Sequence, residues 1–165
     1  MTDRQEEPQA KKHWRRAPEL PPEVFAVLRK PDSAINPIAI VATVDPDGTP
    51  RTAPFGSLRA VTPGLLRLVC MHYHDTYANL RRDGRVMVTL LAPPNIAVSI
   101  RGQARVVKER MDTDEQSAAV EIDVEEVKND MIRTPGAAIE SAVKLFIPEK
   151  HIGWFLAVIS EIEEM

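Results

Sequence analysis

His74-Asp75-Thr76-Tyr77-Ala78-Asn79-Leu80-Arg81-Arg82-Asp83-Gly84-Arg85-Val86 lies within a block, Ile38 to Arg105, in which apolar runs alternate with turn signals. The middle of this stretch favours a two-turn helix from Asp75 to Asp83, with Gly84 placed to end it in the left-handed conformation. Upstream, Ile38-Ala39-Ile40-Val41-Ala42-Thr43-Val44 is too short and too β-branched for a helix. Asp45-Pro46-Asp47-Gly48 then supplies hairpin-turn chemistry. Thr49 to Ala60 contains Pro50 and Pro54, whose nitrogens cannot donate to a ladder, so it reads as an edge or interrupted strand. Thr62-Pro63-Gly64 turns the chain into a third strand, Leu65 to Met71, and the two form a meander.

Downstream, Arg85 to Leu91 is a fourth strand and Ile96 to Val107 a long fifth one, with Gly102 marking a bulge or a close backbone approach. Asp112, three residues before Glu115, resembles a capping arrangement and predicts a charged helix over Thr113 to Asn129. Ala137 to Ile147 reads as a sixth strand. Ile152, Phe155, Leu156, Ile159 and Ile162 recur at helical spacing and predict an amphipathic C-terminal helix that packs on the sheet or on a second subunit. Pro21-Pro22-Glu23 opens another short helix near the start, because proline suits the first turn and glutamate the positive helix end.

The expected organisation is an N-terminal arm over residues 1–20 and a single domain over 21–165. It is mainly β (α+β), a six-stranded antiparallel split β-barrel with flanking helices. The 165 residues suffice for one packed core, with 44% hydrophobic and 27% charged residues. A net charge of -3 gives no general reason to seek nucleic acid or an anionic membrane, and no apolar run is long enough to span a bilayer. One cysteine, Cys70, and a polar start without a secretory signal place the protein in the cytoplasm. Neither Gly-x-Gly-x-x-Gly after a strand nor a phosphate-cradling Gly-Lys-Ser/Thr loop is present.

Three motifs resemble one family: Ala42-Thr43-Val44-Asp45-Pro46-Asp47-Gly48-Thr49-Pro50, then Asn79 to Val86, then Ile100-Arg101-Gly102-Gln103-Ala104. In order and spacing they are similar to the FMN-binding split-barrel proteins related to pyridoxamine 5'-phosphate oxidase. That resemblance implies a homodimer with two flavins in clefts at the subunit interface, and an oxidoreductase acting on a small molecule. It places Ala53, Pro54, Phe55, Gly56, Ser57 and Leu58 along the flavin ring, with Val69 and Cys70 facing it. His74, Asp75 and Thr76 fall where the phosphate is held. Relatives carry a Ser-Arg-Lys or similar cationic group there, so two positive charges are missing and one negative charge is added. Charge-assisted hydrogen bonds contribute about 1.5 to 3 kcal/mol each, which makes replacement by Arg51, Arg59, Arg81 or Arg82, or by the amides opening the Asp75 helix, a requirement for tight FMN binding. The alternative is a non-catalytic split-barrel dimer that has lost the flavin phosphate site and binds haem, a deazaflavin or a metabolite.

Other residues have plainer readings. His72 and His74 lie two apart on an extended segment beside Asp75, a spacing compatible with metal ligands, but a lone pair is thin support and no metal is expected. Cys70 at a strand end reads as a small buried hydrophobe rather than a nucleophile. Arg81 and Arg82 read as exposed helix charges, and Trp154 and Phe155 as core or interface residues in the last helix's apolar stripe. Tyr73 and Tyr77 fit either a ring contact or a roof over the barrel.

Overall fold

The computed structural model describes residues 14–165. The first thirteen positions of the expected arm lie outside the described residues. The rest of the arm is a strap: β1 (Arg16–Ala17) pairs with β8 (Ser117–Asn129), and the Asn129 amide donates to Arg15 O at 2.9 Å. Helix α1 (Pro22–Arg29) follows with Pro22 in its first turn, and its buried residues Val24 and Leu28, four apart, form one apolar face.

The hairpin of β2 (Ala39–Val44) and β3 (Pro50–Phe55) closes through the Asp45–Gly48 turn, where Gly48 takes φ +88°. A second hairpin joins β4 (Arg59–Thr62) to β5 (Leu65–Met71). Helix α2 (Asp75–Arg82) connects to β6 (Arg85–Ala92), then β7 (Ile96–Lys108), β8 and the terminal helix α3 (Glu149–Glu164). Every pairing is antiparallel, in the order β3-β2-β6-β7-β8-β5-β4.

That order has a geometric consequence. Its two edges, β3 and β4, are joined in sequence by only Gly56-Ser57-Leu58. Four Cα steps reach about 14 Å, whereas seven flat strands would separate the edges by roughly 29 Å. The sheet must therefore curl until its edges nearly meet. They do not pair with each other, which makes the barrel split. Val41, Leu58, Leu66, Leu68, Val88, Leu90, Ile100 and Ile122 fill the interior out of contact with water.

Several expectations require correction. Among the described residues the strands number eight rather than six. Residues 113–129 do not form a helix: Asp114 caps a tight turn through Gln116 N (3.0 Å) and Ser117 Oγ (2.7 Å), and the chain then enters β8. There Val120 and Ile122 are buried while Asp123 and Glu125 are exposed, a period of two that the density of acidic residues obscures in sequence. Residues 137–147 form no strand. Ile38 N donates to Val143 O and Ile139 N to Pro94 O, but these are isolated bonds with no adjacent sheet edge to extend, and Phe146 remains 86% exposed. Helix α2 ends at an extended Asp83 (φ -144°), and Gly84 is not left-handed. Its role is close approach, because a Cβ there would lie 2.6 Å from Ala104 O.

Helix α3 packs Val158, Ile159 and Ile162 inward and is held by polar anchors. Glu161 accepts from Lys108 Nζ (2.8 Å), Asp112 N (2.7 Å) and Thr113 N (2.8 Å). Burial opposes Glu161's charge, yet the hydrogen bonds from Lys108 and Thr113 outweigh it and hold the carboxyl down to about 2. Because the folded value is depressed, this stabilisation is present at neutral pH and lost as pH falls from the ordinary carboxylate range toward 2. Glu161→Gln should therefore lower the melting temperature at pH 7, and the gap from the wild type should narrow as pH is lowered through that window.

Gly102 sits at a register shift between β7 and β8, where a Cβ would meet Asp123 O at 2.5 Å. Gly102→Ala should destabilise by about 1–3 kcal/mol, a loss of several degrees in Tm. Gly153, inside α3 with nothing within 4 Å of an added Cβ, should gain about 0.5–1 kcal/mol on substitution by alanine. Thermal unfolding of the two variants side by side checks both signs.

Candidate functional site

Where the two sheet edges meet, the corner Gly56-Ser57-Leu58 must turn sharply without a ladder to support it. Side chains supply that support. Lys30 Nζ donates to Gly56 O (2.9 Å) and Ile35 O (3.0 Å), and Arg59 Nη1 donates to Ser57 O (3.0 Å). Ser57 Oγ donates to Val69 O (3.2 Å) and accepts from Val69 N (3.0 Å), tying the corner to β5. Gly56 is required by crowding, since a Cβ would lie 2.4 Å from Ile35 Cγ2.

One side of this corner opens into a cleft of about 160 Å³. Six of the eleven residues expected at a cofactor come together on its wall: Pro54, Phe55, Gly56, Ser57, Val69 and His74. The others do not. Ala53, Leu58 and Cys70 instead pack among the buried apolar residues of the barrel core. Thr76 is buried behind His74, hydrogen-bonded to its Nδ1, and Asp75 faces solvent with a side chain 71% exposed. Burial pushes the Cys70 thiol up to about 12, which leaves no thiolate for nucleophilic chemistry at neutral pH.

The opposite wall comes from segments distant in sequence from the strand residues. Trp154, Phe155 and Val158 of α3, with Leu145 from the preceding irregular segment, face the strand residues across the cleft. Trp154 and Phe155 meet edge to face at a centroid distance of 4.7 Å, and Trp154 Nε1 donates to Asp114 at 2.9 Å. Phe55 and His74 meet at 5.8 Å, also edge to face. His74 caps α2 by accepting from Thr76 N through Nδ1 (3.3 Å). His72 Nε2 contacts Glu109 O at 2.7 Å, so the two histidines serve separate local structures. Among the described residues no group of three potential metal ligands occurs.

The four candidate phosphate-binding arginines are all engaged. Arg51 Nε donates to both oxygens of Asp45 (2.9 and 2.8 Å) and lies 3.7 Å from Asp75. Hydrogen bonds from Arg51 and Asn79 hold Asp45 below the ordinary carboxylate range, so it stays charged and matched to Arg51. Arg81 bonds Glu109 and Tyr77, whose hydroxyl also donates to Glu109, and Arg82 bonds Val44 O and Asn79. Arg59 is buried at the corner, 3.1 Å from Glu163. Of these, Arg51 is half exposed and stands nearest the start of α2 in contact with Asp75.

A separate groove of about 500 Å³ crosses the outer face of the sheet, lined by Ala42 and Val44 of β2, Met87 of β6, and Arg101 and Gln103 of β7. Met87 (38%) and Leu91 (42%) are exposed on this face. No helix among the described residues is long and apolar enough to cross a membrane.

Comparison with known proteins agrees with this architecture. A structure from Lactobacillus delbrueckii, provisionally assigned as a pyridoxamine 5'-phosphate oxidase, superposes with a TM-score of 0.56 at 24% identity, covering 69% of this chain and 98% of the other. An F420 reductase matches at TM-score 0.54 and 15% identity, covering 67% and 100%. An FMN-binding protein from Syntrophomonas wolfei matches at 0.51 and 14%, covering 67% and 89%. At these identities the likeness concerns the fold alone. No curated protein matches. The family profile described as pyridoxamine 5'-phosphate oxidase matches residues 20–144, which takes in every strand from β2 to β8, and the chain belongs to the pyridoxamine 5'-phosphate oxidase family.

Proposed function

We propose that this protein is an FMN-binding oxidoreductase that acts as a homodimer, with the isoalloxazine ring against Pro54–Ser57, Val69 and His74. The convergence of those strand residues on one cleft, opposite an aromatic wall from α3, carries the reading. The ring-facing residues fit a flavin: the walls are apolar and aromatic, with few polar groups among them. The phosphate-facing residues fit it poorly, because Arg51 already answers two carboxylates.

A cleft of about 160 Å³ is smaller than the roughly 300–1,000 Å³ of small-molecule sites, so a second surface must complete it. The outer groove beside Met87 on another copy is the surface we assign to that role. Bound flavin would supply the electron or hydride transfer. This chain's own residues would do the rest. Phe55 and Trp154 exclude water, His74 offers its Nε2 as a hydrogen-bonding atom, and the Lys30 and Arg59 clamps keep the Gly56-Ser57 wall rigid. The neutralised Arg51 favours a second reading, in which a planar ligand without a phosphate occupies the cleft and the dimer is a binder rather than an enzyme.

Fluorescence titration of ligand-free protein with FMN and with riboflavin separates these readings from their failure. Both flavins should bind, with dissociation constants within about tenfold, because each of the four candidate arginines is already engaged by other groups. Trp154→Ala should weaken both by about tenfold through loss of aromatic contact. Absence of binding by either flavin would overturn the flavin reading. Sedimentation should show a dimer, and Met87→Asp should yield a monomer that no longer binds flavin.

A further inference from the structure

On the side of the Gly56-Ser57 corner held by Lys30 and Arg59 lies a second cavity, of about 230 Å³, that the flavin reading does not use. It is lined by Arg29 and Lys30 at the end of α1, Arg59 of β4, Arg67 of β5, and the two carboxylates Asp32 and Glu163. Four cations thus face two anions. Arg67 is answered outside the balance by Glu121 at 2.6 Å, and it also donates to Ile162 O at 2.8 Å. Arg29 and Lys30 form no ion pair among the described residues.

Arg59 is the most confined of the four. Its side chain is 4% exposed, Nη1 and Nη2 donate to Ser57 O and Ala34 O, and Nε stands 3.1 Å from Glu163 Oε1. That Nε nevertheless makes no hydrogen bond, because its N–H does not aim at the carboxylate. A buried guanidinium N–H without an acceptor is costly and uncommon. Glu163 is itself divided, since it also accepts from Ser33 N at 3.1 and 3.2 Å. Lys30 spends two protons on backbone carbonyls and keeps a third donor.

We infer that this cavity is a binding site for a doubly charged tetrahedral oxyanion, the phosphate of a small monoester or its inorganic equivalent, held by Arg29, Lys30 and Arg59 Nε with Glu163 as the side chain it displaces. A tetrahedral anion can accept at once from N–H groups converging from α1 and β4, which one planar carboxylate shared with Ser33 does not do. The state of Lys30 agrees with this geometry. Burial and the neighbouring Arg59 bring its ammonium down to about 7, so an arriving anion would draw a proton onto it. The charged groups facing Lys30 are Arg29 on α1, Asp32 on the following turn, Arg59 on β4, Arg67 on β5 and Glu163 on α3.

The test is thermal unfolding of the full chain at pH 6.5 in sodium sulfate, and separately in glycerol 3-phosphate, each against sodium chloride of equal ionic strength. At tenfold the dissociation constant the midpoint should rise by about 4 °C. Sulfate also stabilises proteins nonspecifically, so the decisive quantity is the part lost on substitution. Arg29→Gln and Lys30→Met should each remove most of it, measured from the variant's own baseline, and Glu163→Gln should enlarge it by removing the internal competitor. In calorimetry at pH 7.5, sulfate binding should take up protons in the wild type but not in Lys30→Met. A response to glycerol 3-phosphate alone supports a monoester, and a response to both supports the bare oxyanion. No rise above chloride, or a rise unchanged by Arg29→Gln and by Glu163→Gln, overturns the site. Flavin titration of Arg29→Gln, which touches neither the corner clamps nor the α3 anchors, is independent, so failure here leaves the ring cleft untouched.

Discussion

Three residues, Gly56-Ser57-Leu58, must span the gap between the two ends of a sheet seven strands wide, and this constraint organises the molecule. It forces the sheet to curl, and it leaves a corner whose carbonyls have no ladder partners. Lys30, Arg59 and Ser57 provide those partners from three different elements. A corner pinned in this way gives a rigid wall, and a rigid wall is what a cleft for a planar ligand needs. The buried cations are therefore structural first. Their location beside a second cavity is what gives them a second use.

Helix α3 is the other half of the arrangement. Its inward face is apolar, but Glu161 and Glu163 fix its position along the barrel through Lys108, the Asp112–Thr113 amides, Arg59 and Ser33. With its C-terminal turns anchored, its Trp154 and Phe155 stand over the strand residues of the cleft. The same helix thus closes the core and shapes the site. Loss of an anchor would be felt at a distance of several turns, because a helix transmits displacement along its length rather than absorbing it.

Much of the barrel was legible in the sequence because its signals were local. The Asp45–Gly48 turn and the α2 helix between His74 and Asp83 each depend on neighbours a few residues away, and Gly102 stands out as a lone glycine inside an apolar strand pattern although the backbone it meets is that of Asp123. The strand β8 was hidden because its alternating valines and isoleucine share space with acidic residues that also suit a helix surface. Residues 137–147 misled in the opposite sense: an apolar run needs an unpaired strand edge beside it to become a strand, and no local pattern reveals whether one is free. At the site, six of the residues that the family resemblance implies line one cleft, while Ala53, Leu58 and Cys70 pack in the core. Trp154 and Leu145 reach the cleft through tertiary packing across about eighty residues of chain, for which the sequence holds no short-range sign.

Under the proposed function, the cleft beside the Gly56-Ser57 corner grips an isoalloxazine ring. Its most direct measurement is the absorption spectrum of the purified, folded protein together with mass identification of whatever small molecule leaves it on denaturation. The expected result is a yellow protein that releases a flavin. A colourless protein that releases none, and that stays colourless after incubation with FMN and removal of the excess, would contradict it.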